Sequence, residues 1–144
     1  MCEALAELGA AVAIVDLAEE SCTKTAKRID ETYNVKTLPL AVDIVNEEMA
    51  LSIPKTVVDR FGRLDILVNC AALVGTSDLK GWAVPFLEQR ASTWRLALEV
   101  NLTAAFVLAQ ACSEALAAHS TGSIINIGST YGMVGPDMNL YQGT

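Results

Sequence analysis

The chain has 144 residues, about one domain's worth, with 52% apolar against 19% charged, rich enough to bury a sheet on both faces. Seventeen acidic against ten basic residues leave a net charge of −7 with no Lys/Arg cluster, which argues against a nucleic-acid duplex or an anionic lipid surface as partner. The longest apolar runs are broken by Gly, Asp or Asn below the roughly 20 residues of a membrane span, and no signal-peptide pattern opens the chain.

Residues 3–8 read as helix, and Gly9 suits its carboxyl-terminal stop. Residues 10–15 are a continuous apolar run ending at Asp16, the pattern of a buried parallel strand. Residues 18–33 follow as a helix with Cys22, Ala26, Ile29 and Tyr33 on one face. Residues 35–42 form the next strand, ending at Asp43. Residues 46–61 are helical in pattern, with Met49, Ile53, Val57 and Phe61 on one stripe. Pro54 interrupts the ladder there, so either Ser52 caps a second start or the helix bends. Gly62-Arg63 turns the chain into a strand over 64–69. Residues 70–90 are mixed, and a connection of that length is usually functional or mobile. Ser92 or Thr93 starts a long helix running to about Ala118. Its middle is apolar nearly all round and must be covered on more than one side, by this chain or by a second copy. Gly122 leads into residues 123–127, a short β-branched strand that reads as buried. Four strands alternating with helices predict an α/β fold with a doubly wound parallel sheet, in a single domain over 1–144.

Cys2, Cys22, Cys70 and Cys112 are widely spaced, and His119 is the single imidazole, so no metal site is expected. Cys2, Cys22 and Cys112 fall on helical stretches as small apolar core residues, and a reducing cytoplasm is the simplest compartment.

The closing stretch, GSIINIGSTYGMVGPDMNLYQGT, sends Ser129 into a glycine-rich loop at a strand end, with Tyr141 twelve residues later. A small hydroxyl can hold a carbonyl oxygen while a phenol moves the proton. Taken alone, such a pair is more often a turn serine and a packing tyrosine. The stretch resembles the active-site segment of short-chain dehydrogenases/reductases, where a strand ending Asn-(apolar)-Ser/Gly-Ser precedes Tyr-x-x-x-Lys. Ser129 and Tyr141 match the serine and tyrosine, and the lysine would fall one residue past Thr144. The family's opening turn, Thr-Gly-x-x-x-Gly-x-Gly, has no counterpart, and residues 1–10 resemble the helix that follows it. The resemblance covers essentially all 144 residues and implies the middle of such an enzyme, inactive by itself, as a partial NAD(P)-binding Rossmann-like domain of about four strands. In the family the first strand lies between those matched by 10–15 and 64–69. Its absence would leave either a gap of two strand spacings, roughly 9–10 Å, or a direct rearranged pairing.

The same resemblance assigns roles. Asp16 would accept hydrogen bonds from both adenosine ribose hydroxyls, and Leu17 beside it offers no arginine for a 2′-phosphate, so NAD is expected over NADP. The alternative is that Asp16 caps the helix starting at Leu17 or Ala18. Asp43 would meet the adenine edge and Ile44 the ring; otherwise Asp43 caps the helix near Asn46. Asn69-Cys70-Ala71-Ala72 resembles Asn-Asn-Ala-Gly, with Asn69 tying neighbouring strands together and Ala71 near the cofactor ribose, while Cys70 and Ala72 depart from the pattern. Asn101 lies mid-helix, where an amide without partners costs about 1–3 kcal/mol; in the family this asparagine opens the helix and holds a water linked to the lysine, the alternative being an amide that bonds a nearby carbonyl structurally. Asn101, Ser129 and Tyr141 then form the catalytic set, Tyr141 also touching the cofactor, and Gly128 and Thr130 line the same turn. Trp82 and Phe86, within residues 76–89 together with Asp78 and Lys80, would border the substrate mouth opposite Met133, Val134, Pro136 and Met138, or simply pack as loops. The implied activity interconverts a secondary alcohol and a ketone, small molecules both, with NAD(H), in a homodimer or homotetramer joined through the 92–118 helix. The rivals are a non-catalytic nucleotide-binding or scaffold protein of the same fold and a different α/β enzyme such as a methyltransferase.

Overall fold

A computed structural model describes residues 1–74 and 79–135. After helix α1 (Cys2–Glu7), strand β1 (Val12–Asp16) pairs in parallel with β2 (Thr37–Ala41), Val12 opposite Thr37 and Asp16 opposite Ala41. Helix α2 (Glu19–Tyr33) makes the return between them. The alternation of β1 sorts its side chains to two faces. Val12 and Ile14 pack with Ala6, Cys22, Ala26 and Ile29, so the 4-3 spacing read on α2 is its buried face. Ala13 and Val15 flank a second cluster, of Ala50, Ile53, Val57 and Leu108. β1 is therefore covered on both sides, as its unbroken apolar run requires.

Pro39 sits inside β2 without disturbing the pairing. The Lys36 carbonyl accepts from the Val12 N–H, and the Val42 N–H donates to the Asp16 carbonyl. By alternation the backbone of Pro39 points to the outer edge, where a missing donor breaks no bond.

Helix α3 (Glu47–Phe61) begins at Asn46, whose Oδ1 accepts the Met49 N–H at 3.1 Å, and ends at Gly62, which takes a φ of +83° that other residues resist. The helix runs continuously through Pro54, so Ser52 does not cap a second start. Its hydroxyl donates back to the Met49 carbonyl (2.7 Å), and Thr56 does the same to the Ser52 carbonyl (3.0 Å). Side chains thus engage the carbonyls around the turn that proline weakens.

The second pair of strands is β3 (Ile66–Asn69) and β4 (Ser123–Asn126), again parallel, with Asn69 opposite Asn126. The expected long helix is three joined segments: α4 (Ala91–Leu98), a π-helical turn (Glu99–Thr103) and α5 (Ala104–Ala117). The helix starts at Ala91, after Arg90; Thr93 is buried within its first turn, and its hydroxyl donates to the Lys80 carbonyl at 2.7 Å. By length and composition residues 91–117 could cross a membrane, contrary to what the interrupted apolar runs suggested. Here α5 lies against α3, β3 and β4, burying Ala104, Leu108, Cys112 and Leu116. Trp94, Leu102 and Phe106 stay 61–66% exposed. Gly122 closes the α5-to-β4 turn with no room for a side chain, since a Cβ would lie 2.4 Å from the Leu116 carbonyl oxygen.

Two expectations meet a different outcome around β4. Its residues are all exposed, not buried, with Ile124 at 44%. The cause is position: β4 is the outer member of its pair, and no described strand covers its far edge. Among the described residues the four strands also form two separate two-stranded sheets. β1 and β3 do not pair; their facing edges line a cavity of about 690 Å³. The gap, not the rearranged pairing, is what the fold adopts.

Candidate active site

Polar side chains collect at the carboxyl ends of the strands, where open α/β sheets bind ligands. Asp16 is the last residue of β1 and is exposed. Its Oδ1 accepts the Ala18 N–H at 3.2 Å in a turn just before α2, whose N-cap is Ala18 without a side-chain bond, so Asp16 does not cap the helix. A carboxylate has about four acceptor positions, so this bond leaves capacity for a ligand. Leu17, next to it, is 71% exposed.

Asp43 follows β2 and accepts the Val45 N–H at 3.0 Å. It does not cap α3, because Asn46 does. Ile44 is half-buried against the α3 core and lines the cavity between β1 and β3.

Asn69 closes β3. Its Nδ2 donates to Asn126 Oδ1 (2.8 Å) and to the Ala105 carbonyl (3.4 Å), joining β3 to β4 and to α5. Its Oδ1 is buried and unpaired among the described residues. Asn126 was not a candidate from sequence. The available signal was two asparagines at the ends of strands that turn out to lie in register. Ala71 follows Asn69 in the loop that leaves β3.

Asn101 sits in the π-helical turn and clamps that same loop. Its Oδ1 accepts the Leu73 N–H at 2.7 Å and its Nδ2 donates to the Leu73 carbonyl at 3.0 Å. The mid-helix amide therefore has its partners, and the helix is brought to the end of β3. An extra residue per turn, as in a π-bulge, is a frequent device at functional sites.

Ser129 follows β4 and opens a 3-10 turn (Thr130–Gly132), its Oγ accepting the Tyr131 N–H at 3.1 Å. Acting as acceptor there, the hydroxyl keeps its own proton to donate elsewhere. Tyr141 lies outside the described residues, as do Pro136, Met138, Thr76 and Asp78. Of the proposed mouth, Met133 and Phe86 are more than 80% exposed, and the Trp82 indole donates to the Val74 carbonyl at 3.1 Å.

At the amino end of β3, Arg63 grips Asp65 through two hydrogen bonds of 2.7 and 2.6 Å and holds that carboxyl below the usual range. This pair lies at the wrong end of the strand for the site.

The thiols divide by burial. Cys70, beside Asn69, is exposed; Cys22 and Cys112 are buried, and burial pushes Cys112 up to about 11. Brief alkylation at mildly alkaline pH, read by mass spectrometry, labels Cys70 and leaves Cys22 and Cys112 untouched until denaturant is added. Labelling of Cys112 at the rate of Cys70 in the folded protein would contradict this packing.

Comparison with known proteins gives one family. Residues 1–144 match the family model described as short chain dehydrogenase. The chain is 33% identical to trans-4-hydroxycyclohexanecarboxylate dehydrogenase of Sinomonas cyclohexanicum over 138 residues, 92% of this chain and 50% of that protein. It is 29% identical to a 3-oxoacyl-[acyl-carrier-protein] reductase of Synechocystis sp. over 92% of this chain and 51% of that protein. Among solved structures, NAD+-bound xylitol dehydrogenase superposes with a TM-score of 0.81 at 29% identity, over 92% of this chain and 48% of that one. L-sorbose reductase from Gluconobacter frateurii, complexed with NADPH and L-sorbose, gives 0.75 at 27% identity over 86% of this chain and 44% of that one. The chain thus spans about half the length of the relatives it matches.

Proposed function

Because this chain belongs to the short-chain dehydrogenase family of oxidoreductases, we propose that the whole protein interconverts a secondary alcohol and a ketone with a nicotinamide dinucleotide, NAD in preference to NADP. The observation that carries the reading is the Asn101 clamp on Leu73, which brings the long helix to the strand ends that Asn69 and Ser129 occupy.

The residues present fit the adenosine half of such a cofactor. Asp16 keeps acceptor capacity toward ribose hydroxyls and, as a carboxylate, opposes a 2′-phosphate. Asp43 with Ile44 follows on the next strand end, and Asn69 and Ala71 on β3. The glycine-rich turn that would cradle the pyrophosphate is not among these 144 residues. When bound, the cofactor supplies the hydride chemistry. The protein's own part is to hold and to protonate. The Ser129 hydroxyl donates to the substrate oxygen and steadies the charge that develops there. Tyr141 carries the proton between that oxygen and the rest of the site.

The substrate class follows from the same reading: a small secondary alcohol, for which cyclic hydroxy acids and polyols are the first compounds to test, given the relatives' names. Trp94, Leu98, Leu102 and Phe106, four residues apart along the helix and all exposed, offer a stripe for a second copy, hence a homodimer or homotetramer. Four unpaired thiols suit a cytoplasmic setting.

The test is turnover by the full-length protein on a panel of cyclic alcohols and polyols with NAD+ or NADP+, followed by nicotinamide absorbance. At least one substrate turns over, with NAD+ at least tenfold better in kcat/KM, and Asp16→Ser narrows that preference. Tight NAD+ binding without oxidation of any compound would favour the scaffold reading instead.

A further inference from the structure

The loop that leaves β3 is anchored at both ends, and one of its anchors plays no part in the proposed chemistry. At its start, Asn69 is bonded to Asn126 and to the Ala105 carbonyl. At its far end, Asn101 holds both backbone groups of Leu73. The Trp82 indole donates to the carbonyl of the next residue, Val74, at 3.1 Å. Between the anchors lie Cys70, Ala71 and Ala72, all small and all exposed, so a ligand can come close to their backbone.

Trp82 is itself fixed, and by the helix that carries Asn101. Its backbone N–H closes a turn onto the Leu79 carbonyl. The two residues before it are tied to the start of α4. The Lys80 carbonyl accepts the buried Thr93 hydroxyl at 2.7 Å, and the Gly81 carbonyl accepts the Arg90 N–H at 3.1 Å. Gly81 takes a φ of +75° against the Arg90 stem, and a Cβ there would lie 2.4 Å from Arg90 Cγ, so glycine alone lets the chain pass this close. Thr93 and Asn101 are eight residues apart on one helical rod, roughly 12 Å at about 1.5 Å per residue. The rod therefore grips the β3 loop twice, once through Asn101 and once through residues 80–82. The indole ring lines a cleft of about 240 Å³ with Phe86, Arg90 and Trp94, while its N–H reaches back to the loop.

We propose, resting on the dinucleotide reading, that Trp82 is a positioning residue for the cofactor. Its indole N–H holds Val74 and, through it, keeps the exposed backbone of Cys70, Ala71 and Ala72 in the shape that receives the cofactor ribose. A neutral hydrogen bond is worth roughly a two- to tenfold change in an equilibrium. The effect falls on dinucleotide affinity, because the indole meets neither the substrate oxygen nor the groups that move its proton.

The test is made in the full-length protein, with NAD+ as the probe. Trp82→Phe keeps an aromatic ring and removes the donor. It raises Kd for NAD+ by about three- to tenfold in a calorimetric titration, and KM for NAD+ by the same factor. kcat and the KM for the alcohol change less than twofold. Amide exchange at Leu73, followed by NMR without any ligand, quickens at least fivefold, since one of the two grips on the loop is gone. Phenylalanine is also the smaller ring, so a second variant carries 3-benzothienylalanine at position 82, where sulfur replaces the indole N–H and the shape is kept; it behaves as Trp82→Phe does. Native NAD+ affinity with that side chain would assign the effect to ring volume and overturn the proposal. So would a fall in kcat with KM for NAD+ unchanged, which would mean less folded protein, or a rise confined to the KM for the alcohol, which would make Trp82 a wall of the substrate mouth. Unchanged Leu73 exchange beside intact wild-type binding would overturn this assignment alone, whereas wild-type protein that binds no dinucleotide would overturn the reading beneath it as well.

Discussion

Tyr141→Phe in the full-length enzyme lowers kcat by about 10²–10⁴, the range for losing a positioned proton carrier, while KM for NAD stays within about threefold. The substitution removes one oxygen and keeps the ring. A phenol with a pKa of about 10 is a slow base at neutral pH. In the proposed reading, a lysine ammonium and the positive nicotinamide would favour phenolate. The sign follows. In the oxidation direction kcat rises with pH, because the base form takes the alcohol proton. In the reduction direction the acid form is needed, and the rate falls over the same interval. Tyr141→Phe abolishes this pH dependence along with the rate. A loss of less than tenfold would remove the phenol from the reaction and return weight to a different α/β chemistry.

The parts of the fold that sequence made plain are those whose pattern is local. The apolar run before Asp16 and the Cys22–Ala26–Ile29 face are read from period alone, and both are buried as that period requires. Asn46 and Gly62 bound α3 by their own chemistry. What escaped depends on neighbours. The composition of β4 is that of a buried strand, but exposure is decided by what lies across its edge, and among the described residues nothing does. Pro54 reads as a break because its missing donor is visible in the letters, whereas the continuity of α3 through it, with the hydroxyls of Ser52 and Thr56 bonded to nearby carbonyls, is visible only in space. The site divides similarly. Asn101 stood out because an amide inside an apolar helix demands partners; that Leu73 supplies both could not be read. Asn126 had no local oddity at all, and its role appears only when registration sets it beside Asn69.

Ser129→Ala is the second large effect, expected at about 10²–10³ in kcat, or roughly 2.7–4 kcal/mol of transition-state stabilisation. The hydroxyl has two duties that the substitution removes together. As acceptor it holds the Tyr131 N–H at 3.1 Å and starts the turn after β4. As donor it is the group proposed to meet the substrate oxygen. The first duty is that of a cap, worth about 1 kcal/mol, and it is felt in thermal stability. The second is felt in the rate. Threonine keeps both duties: Ser129→Thr retains an oxygen that can accept and donate, so most of the turnover returns along with the turn. Alanine that is destabilised by about that amount yet turns over normally would assign the hydroxyl to the turn alone. The double variant with Tyr141→Phe sharpens the distinction, since two groups acting on one substrate oxygen as a unit lose far less together than the product of their separate losses. Independent losses that simply multiply would mean that Ser129 and Tyr141 do not meet at the same atom.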